Sequence, residues 1–262
     1  MSISAIIFDL DDTLLVEVAS AEAAFWAACL LVQEEQGIAP DEFHQTVRQN
    51  ARDLWYASPA RQYCVDIGIS SWEGLWARFE GYDPNLQILR KWAVTYRHQA
   101  WSNALVEFGV RDDALADRLS AKFQAERRMR HVVYSDVEPV LRKLQESYRL
   151  ALVSNGTPDL QREKLDGSKL EPYFEAVFIS GELGIRKPDA RIFAAVLERL
   201  GVSAEMAVMV GNSLESDIAG ALQAGIKAVW MNRDGTEPDG SIRPDYEISN
   251  MNELQYVLND LE

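Results

Sequence analysis

The sequence is short of positive charge, of cysteine and of long apolar runs. Its 26 Lys and Arg face 41 Asp and Glu, a formal net charge of −15 over 262 residues. A surface this anionic repels phosphate backbones, so nucleic acid is not expected as a partner. A small phosphorylated ligand stays open, because one local lysine and one metal ion outweigh a distant field. The two cysteines, Cys29 and Cys64, form no metal-like cluster and read as core residues of a reducing compartment. No Lys or Arg precedes Arg48, so the N-terminal segment is not expected to be a signal peptide. The longest apolar stretch, Ala23–Val32, is ten residues, too short to cross a bilayer. These absences predict a soluble, cytoplasmic monomer or homodimer with no membrane partner. What is present is apolar material, 47% of residues, enough for a sizeable core.

The chain opens on Ile3–Phe8, a mostly apolar run without clean alternation, as in a strand buried on both faces of a parallel sheet. It stops at Asp9-Leu10-Asp11-Asp12-Thr13, three carboxylates that repel one another unless a cation or a lysine compensates them. Residues 16–133 then read as helical. Ser20 is a candidate cap for a helix over Ala21–Glu35, and Pro40-Asp41-Glu42 has the makings of a first helical turn. Apolar residues recur at three and four in Leu86, Leu89, Ala93, Tyr96 and Ala100, and again in Leu115, Leu119 and Phe123. Six of the seven tryptophans lie in this segment and are expected mostly in its core.

From Tyr134 the rhythm alternates. Apolar strand runs at Leu150–Val153, Val177–Ile179, Met206–Val210 and Ala228–Met231 are separated by helical stretches, one of them beginning at Pro188. Residues 233–245 read as a loop, and Asn250–Glu253 as the cap of a last helix. This order predicts an α/β fold, a doubly wound parallel sheet built from 1–15 and 134–262, with a helical module over 16–133 inserted after the first strand. Ligands of such sheets sit at the carboxyl ends of strands, where Asp9, Ser154 and Gly211-Asn212 all fall.

Four motifs stand in order: Asp9–Thr13, Val153-Ser154-Asn155-Gly156, Arg186-Lys187-Pro188 and Val210–Asp217. Together they resemble the haloacid dehalogenase superfamily of hydrolases, most of whose members are phosphatases. In appearance they are nearest its N-acylneuraminate-9-phosphatase-like and nucleotidase-like branch. The resemblance implies a Rossmann-like core, a helical cap controlling access, and a Mg²⁺-dependent phosphatase acting on a small phosphorylated metabolite such as a sugar phosphate or nucleotide. Asp9 would attack phosphorus to form an aspartyl-phosphate. Asp11, two residues on and on the same side of an extended segment, would protonate the leaving oxygen and then activate water. Thr13 would bond the local backbone or the reacting group. Ser154 and the Asn155 backbone N–H would hold phosphoryl oxygens, and Lys187 would offer its positive charge to Asp9 and to those oxygens. Mg²⁺ would take Asp9, the Asp11 carbonyl and a residue near 212. The superfamily has Asp where this chain has Asn212, so Asp217 is a second candidate for that place.

Two other readings use the same fold. A 2-haloacid dehalogenase displaces halide from carbon without metal or a protonated leaving oxygen, which leaves Asp11 and the acidic motif around Asp217 unused. A catalytically weak binding or regulatory module is suggested by Asn212 alone. Arg97, His98 and Trp101, and also Arg127, Arg128 and Arg130, are candidate contacts to an anionic substrate, with a solvated helix face as the favoured alternative.

Overall fold

A computed structural model describes residues 2–238 and 240–261. The chain divides into two compact units, one of 1–16, 132–155 and 164–262, the other of 17–131 and 156–163.

The first unit is a six-stranded, all-parallel sheet: β1 (Ala5–Phe8), β2 (Arg149–Ser154), β3 (Ala176–Ile179), β4 (Ala207–Gly211), β5 (Lys227–Met231) and β6 (Tyr246–Ile248), in the order β3-β2-β1-β4-β5-β6. Side chains alternate across a strand, so β1 sends Ile6 and Phe8 to one face and Ala5 and Ile7 to the other. Both faces are dry. Ile6 and Phe8 join Leu152, Val208, Val210 and Val229 beneath the helices Val137–Leu144 and Leu254–Leu261. Ala5 and Ile7 join Ala151, Val153, Ala207 and Met209 against Ile192, Phe193 and Val196 of the helix Ala190–Leu200. Burial on both sides is why these strands read as continuous apolar runs. In register, Ile7 sits beside Ala151 on β2 and Met209 on β4, so β1 is the axis of the sheet. The chain order reverses between β1 and β4, which sets a crevice at their carboxyl ends.

The second unit is helical: Glu17–Gln36, Pro40–Tyr56, Arg61–Ile67, Ser71–Gly74, Pro84–Glu107 and Asp113–Arg128. Asp83 and Asp112 cap the last two, accepting from the N–H groups of Asn85 (2.7 Å) and Leu115 (2.9 Å). Trp55, Trp76 and Trp101 are buried with Phe25, Phe43, Tyr96 and Phe123, and Trp72 and Trp92 pack against them. Trp26 is exposed and stacks on His44 at 5.7 Å.

Several local expectations are corrected. Ser20 is inside its helix, which begins three residues earlier at Glu17. Pro188 follows a cis Lys187–Pro188 peptide and precedes the helix, whose cap is Asp189. The strand β6 escaped notice because it has three residues, only one of them buried. Asp239, within the expected loop, lies outside the described residues. The basic residues of the helical unit are engaged by protein rather than solvated. Arg97 donates to the carbonyls of Gly74 and Ala77, Arg128 to that of Trp76, and Arg130 pairs with Glu126. His98 bonds Asp117 at 2.8 Å, and Trp101 is core.

Arg127 is almost fully buried, with Nη2 at 2.7 and 2.8 Å from the two oxygens of the equally dry Glu17 and its guanidinium 4.9 Å from the Trp76 ring centre. Removing one member of a buried ion pair is costly, whereas replacing both by apolar groups is not. Arg127→Met is therefore expected to destabilise the helical unit by about 3 kcal/mol, and adding Glu17→Met to recover most of that loss. Urea unfolding followed by tryptophan fluorescence reads this out, since six of the seven tryptophans belong to this unit.

Candidate active site

Asp9 is the first residue past β1. Its N–H still donates to Val210 O of β4 at 3.0 Å, so strand geometry persists up to the carboxylate. The next residues turn. Asp12 takes a left-handed conformation (φ 56°) and donates to Leu15 O, while the N–H groups of Leu14 and Leu15 both return to Leu10 O. The turn thus begins at Asp12, and Asp11 forms a β-bridge with Leu15. The Asp9 and Asp11 carboxylates are close enough to repel each other.

Each oxygen of the buried Asp9 carboxylate has a donor. Thr13 Oγ1 donates to Oδ2 at 3.0 Å, and Lys187 Nζ donates to Oδ1 at 2.5 Å. Thr13 Oγ1 accepts in turn from the Asn212 N–H at 3.0 Å, with Asn212 Oδ1 3.4 Å away. One hydroxyl thereby couples the end of β1 to the end of β4. Trp230 on β5 donates from Nε1 to Asn212 O at 2.8 Å and steadies the same corner.

Lys187 is not an exposed lysine before a helix; it is 2% exposed. Its Nζ also reaches Val153 O at 2.7 Å and Asp217 Oδ1 at 2.8 Å. Asn155 clamps its backbone: Oδ1 accepts from Lys187 N (3.0 Å) and Nδ2 donates to Lys187 O (3.2 Å). Asn155 therefore holds the lysine in place through its side chain. Asp217 is equally buried, and its Oδ2 accepts from Ser213 N at 3.0 Å. Ser154 ends β2 at the same edge of the sheet and is 1% exposed.

Burial pushes the Asp9 carboxyl up to about 7; Lys187 pulls against this, while Asp217 and Asp11 add repulsion. Burial also opposes the charge on Lys187, but Asp217 and Asp9 outweigh it and hold the ammonium above its ordinary range.

One charged neighbour had no sequence motif. Lys164, from the helix Pro158–Ser168, is fully buried, and its Nζ lies 2.9 Å from Asp11 Oδ2. The signal available was faint: Gln161 and Lys164 are polar residues one turn apart in an otherwise ordinary amphipathic helix, and both are buried.

A family model for haloacid dehalogenase-like hydrolases matches residues 3–225. The chain belongs to the haloacid dehalogenase-like hydrolases. This hydrolase is 37% identical over 252 residues to a phosphoserine phosphatase of Thermus thermophilus, covering 95% of this chain and 96% of the relative. It is 35% identical over 170 residues to the N-acylneuraminate-9-phosphatase of Mus musculus, covering 63% and 68%. Among solved structures it is similar to the magnesium-bound HAD-hydrolase YfnB of Bacillus subtilis, with a TM-score of 0.66, 28% identity, and coverage of 99% and 100%. It also resembles the 2-haloacid dehalogenase of Pseudomonas syringae, with a TM-score of 0.61, 26% identity and the same coverage.

The crevice of this hydrolase has no room for a side chain at residue 211. A Cβ on Gly211 would lie 2.4 Å from Asp217 Oδ2 and 2.5 Å from its Cγ, displacing the carboxylate that faces Lys187. Gly211→Ala is expected to cost about 1–3 kcal/mol in urea unfolding, the usual range for overpacking.

Proposed function

We propose that this hydrolase is a Mg²⁺-dependent phosphatase that cleaves a small phosphate monoester through an aspartyl-phosphate on Asp9. The observation that carries the reading is the Asp9 carboxylate, fixed by Lys187 on one oxygen and Thr13 on the other at the end of the central strand, with Asp11 two residues on. Among the described residues no three His, Cys, Asp or Glu side chains converge as a metal cage, so a cation would also draw on carbonyl and amide oxygens. The donors at hand fit that need. The Asp9 carboxylate, the Asp11 carbonyl and the Asn212 amide are all hard oxygens of the kind Mg²⁺ accepts. Asp217 is committed to Lys187 and Ser213, which favours a supporting role for it and the direct place for Asn212. When bound, the cation offsets negative charge on the transferring phosphoryl group.

The residues divide the work. Lys187, the Ser154 hydroxyl and the Asn155 N–H hold the non-bridging oxygens. Asp9 attacks phosphorus while Asp11 gives its proton to the leaving alcohol. Asp11 then takes a proton from the water that hydrolyses the aspartyl-phosphate, releasing inorganic phosphate. Thr13 keeps the Asp9 carboxylate aimed. The dehalogenase reading has a structural neighbour in its favour but gives no task to a proton donor beside the nucleophile. The weak-module reading rests on Asn212 alone. The substrate is sought among phosphoserine, N-acylneuraminate 9-phosphate, glyceraldehyde 3-phosphate and pyrimidine nucleotides, the compounds named for the relatives.

Asp9→Asn is expected to lower p-nitrophenyl phosphate turnover in Mg²⁺ by at least about a hundredfold with the fold intact by circular dichroism. Retention of more than about a hundredth of the rate, or halide release from 2-chloropropionate by the wild type without phosphate release from any ester, overturns the reading. Asn212→Asp adds a charge to the cation's donor set. It is expected to lower the Mg²⁺ concentration for half-maximal activity by about fivefold or more, since charged contacts exceed neutral ones by about 1 kcal/mol. An unchanged requirement in a Mg²⁺ titration would remove residue 212 from that set.

A further inference from the structure

Lys164 is the one fully buried lysine whose charge meets the active-site loop outside the four motifs. Dehydrating an ammonium costs several kcal/mol, and a well-packed apolar side chain would serve the helix at least as well. The Lys164 ammonium instead lies 2.9 Å from Oδ2 of Asp11, a carboxylate whose side chain keeps 24% of its surface exposed. The pair is therefore dry at the lysine, while the Asp11 side chain is part-exposed with its Oδ1 buried.

The backbone around Asp11 is already determined by the bonds of Asp12 to Leu15 and of Leu14 and Leu15 to Leu10. What remains to be set is the side-chain torsion. Two carboxylates so close could also compete for one cation, because Asp11 and Asp217 both repel Asp9. The site answers with two lysines from different elements: Lys187 on Asp9 and Asp217, Lys164 on Asp11. Asp9 and Asp217 thereby share one lysine, and Asp11 has another.

We propose that Lys164 is a positioning residue that fixes Asp11 as the proton donor to the leaving oxygen. The inference rests on the phosphatase reading and deepens it. In the first step the bond from an Asp9 carboxylate oxygen to phosphorus forms, the bond from phosphorus to the ester oxygen breaks, and the Asp11 carboxyl proton passes to that ester oxygen to give the alcohol. In the second, a water oxygen bonds to phosphorus, the bond from Asp9 oxygen to phosphorus breaks, and a water proton returns to the Asp11 carboxylate. Lys164 neither gains nor loses a proton in either step.

A residue acting through Asp11 matters most where the leaving group needs a proton. The test compares kcat/KM for β-glycerol phosphate, an alkyl ester, with that for p-nitrophenyl phosphate, whose leaving group departs readily. Lys164→Met is expected to lower the alkyl ester by about tenfold or more beyond its effect on the aryl ester. Taking the ratio on one preparation cancels any unfolded fraction, and Lys164→Gln serves as a second variant of similar length that keeps a donor. In an Asp11→Asn background, Lys164→Met is expected to add no further selective loss, as for residues that act as a unit. Equal losses on the two esters, or a selective loss that adds to that of Asp11→Asn, overturn the assignment of Lys164 while wild-type phosphatase turnover stands. Wild-type protein that hydrolyses neither ester overturns the phosphatase reading, and the role of Lys164 with it.

Discussion

The Lys187 ammonium is the interaction on which the site depends. It is reached from the nucleophile candidate after β1, from a carbonyl in β2 and from Asp217 after β4, while Asn155 pins its backbone from both sides. A buried cation needs compensation, and buried carboxylates two or three at a time need it equally. In this crevice each solves the other's problem. The arrangement works only if three separate strand ends arrive at one point, so the electrostatics of the site constrain the sheet as much as the sheet constrains the site. The high setting of the Asp9 carboxyl, about 7, shows that one lysine does not fully offset burial.

The sheet delivers this convergence through its packing. Alternation of β1 sends Ile6 and Phe8 to one apolar layer and Ala5 and Ile7 to the other, and helices close both. With no wet face, the only polar edge left to the strands is their ends, and the chain concentrates its charge there. The helical unit has a separate core of aromatic side chains and its own buried ion pair, Glu17 with Arg127. The basic residues that in sequence suggest anion recognition, Arg97, His98, Arg127, Arg128 and Arg130, are engaged by carbonyls and carboxylates of the same unit.

Much of the fold could be read before the structure. Five strands are visible as apolar runs because burial on both faces removes polar residues from them, and the helices Pro84–Glu107 and Asp113–Arg128 show as apolar stripes at three and four residues, from Leu86 to Ala100 and from Leu115 to Phe123. The four motifs could be read because each has a fixed local pattern at a strand end. What could not be read lacked such a pattern. A three-residue edge strand has too few side chains to show a period, and β6 has one buried residue. Ser20 has the right chemistry for a cap, but the helix gains three residues upstream of it, where buried Glu17 meets Arg127. Asn155 looked like a backbone donor to phosphate; its side chain turned out to hold Lys187, thirty-two residues away.

The sequence by itself determined the family, the parallel sheet and the identity of the groups at its strand ends, because spacing and hydrophobic runs are local properties of the chain. Only the tertiary structure decided that Lys164 pairs with Asp11 and that Lys187, expected beside Asp9, also meets Asp217. Lys164 and Asp11 are 153 residues apart and Lys187 and Asp9 are 178 apart. No local pattern encodes such pairs. They follow from which helix the sheet places beside which loop, and in a dry crevice that placement selects the partner of every charge.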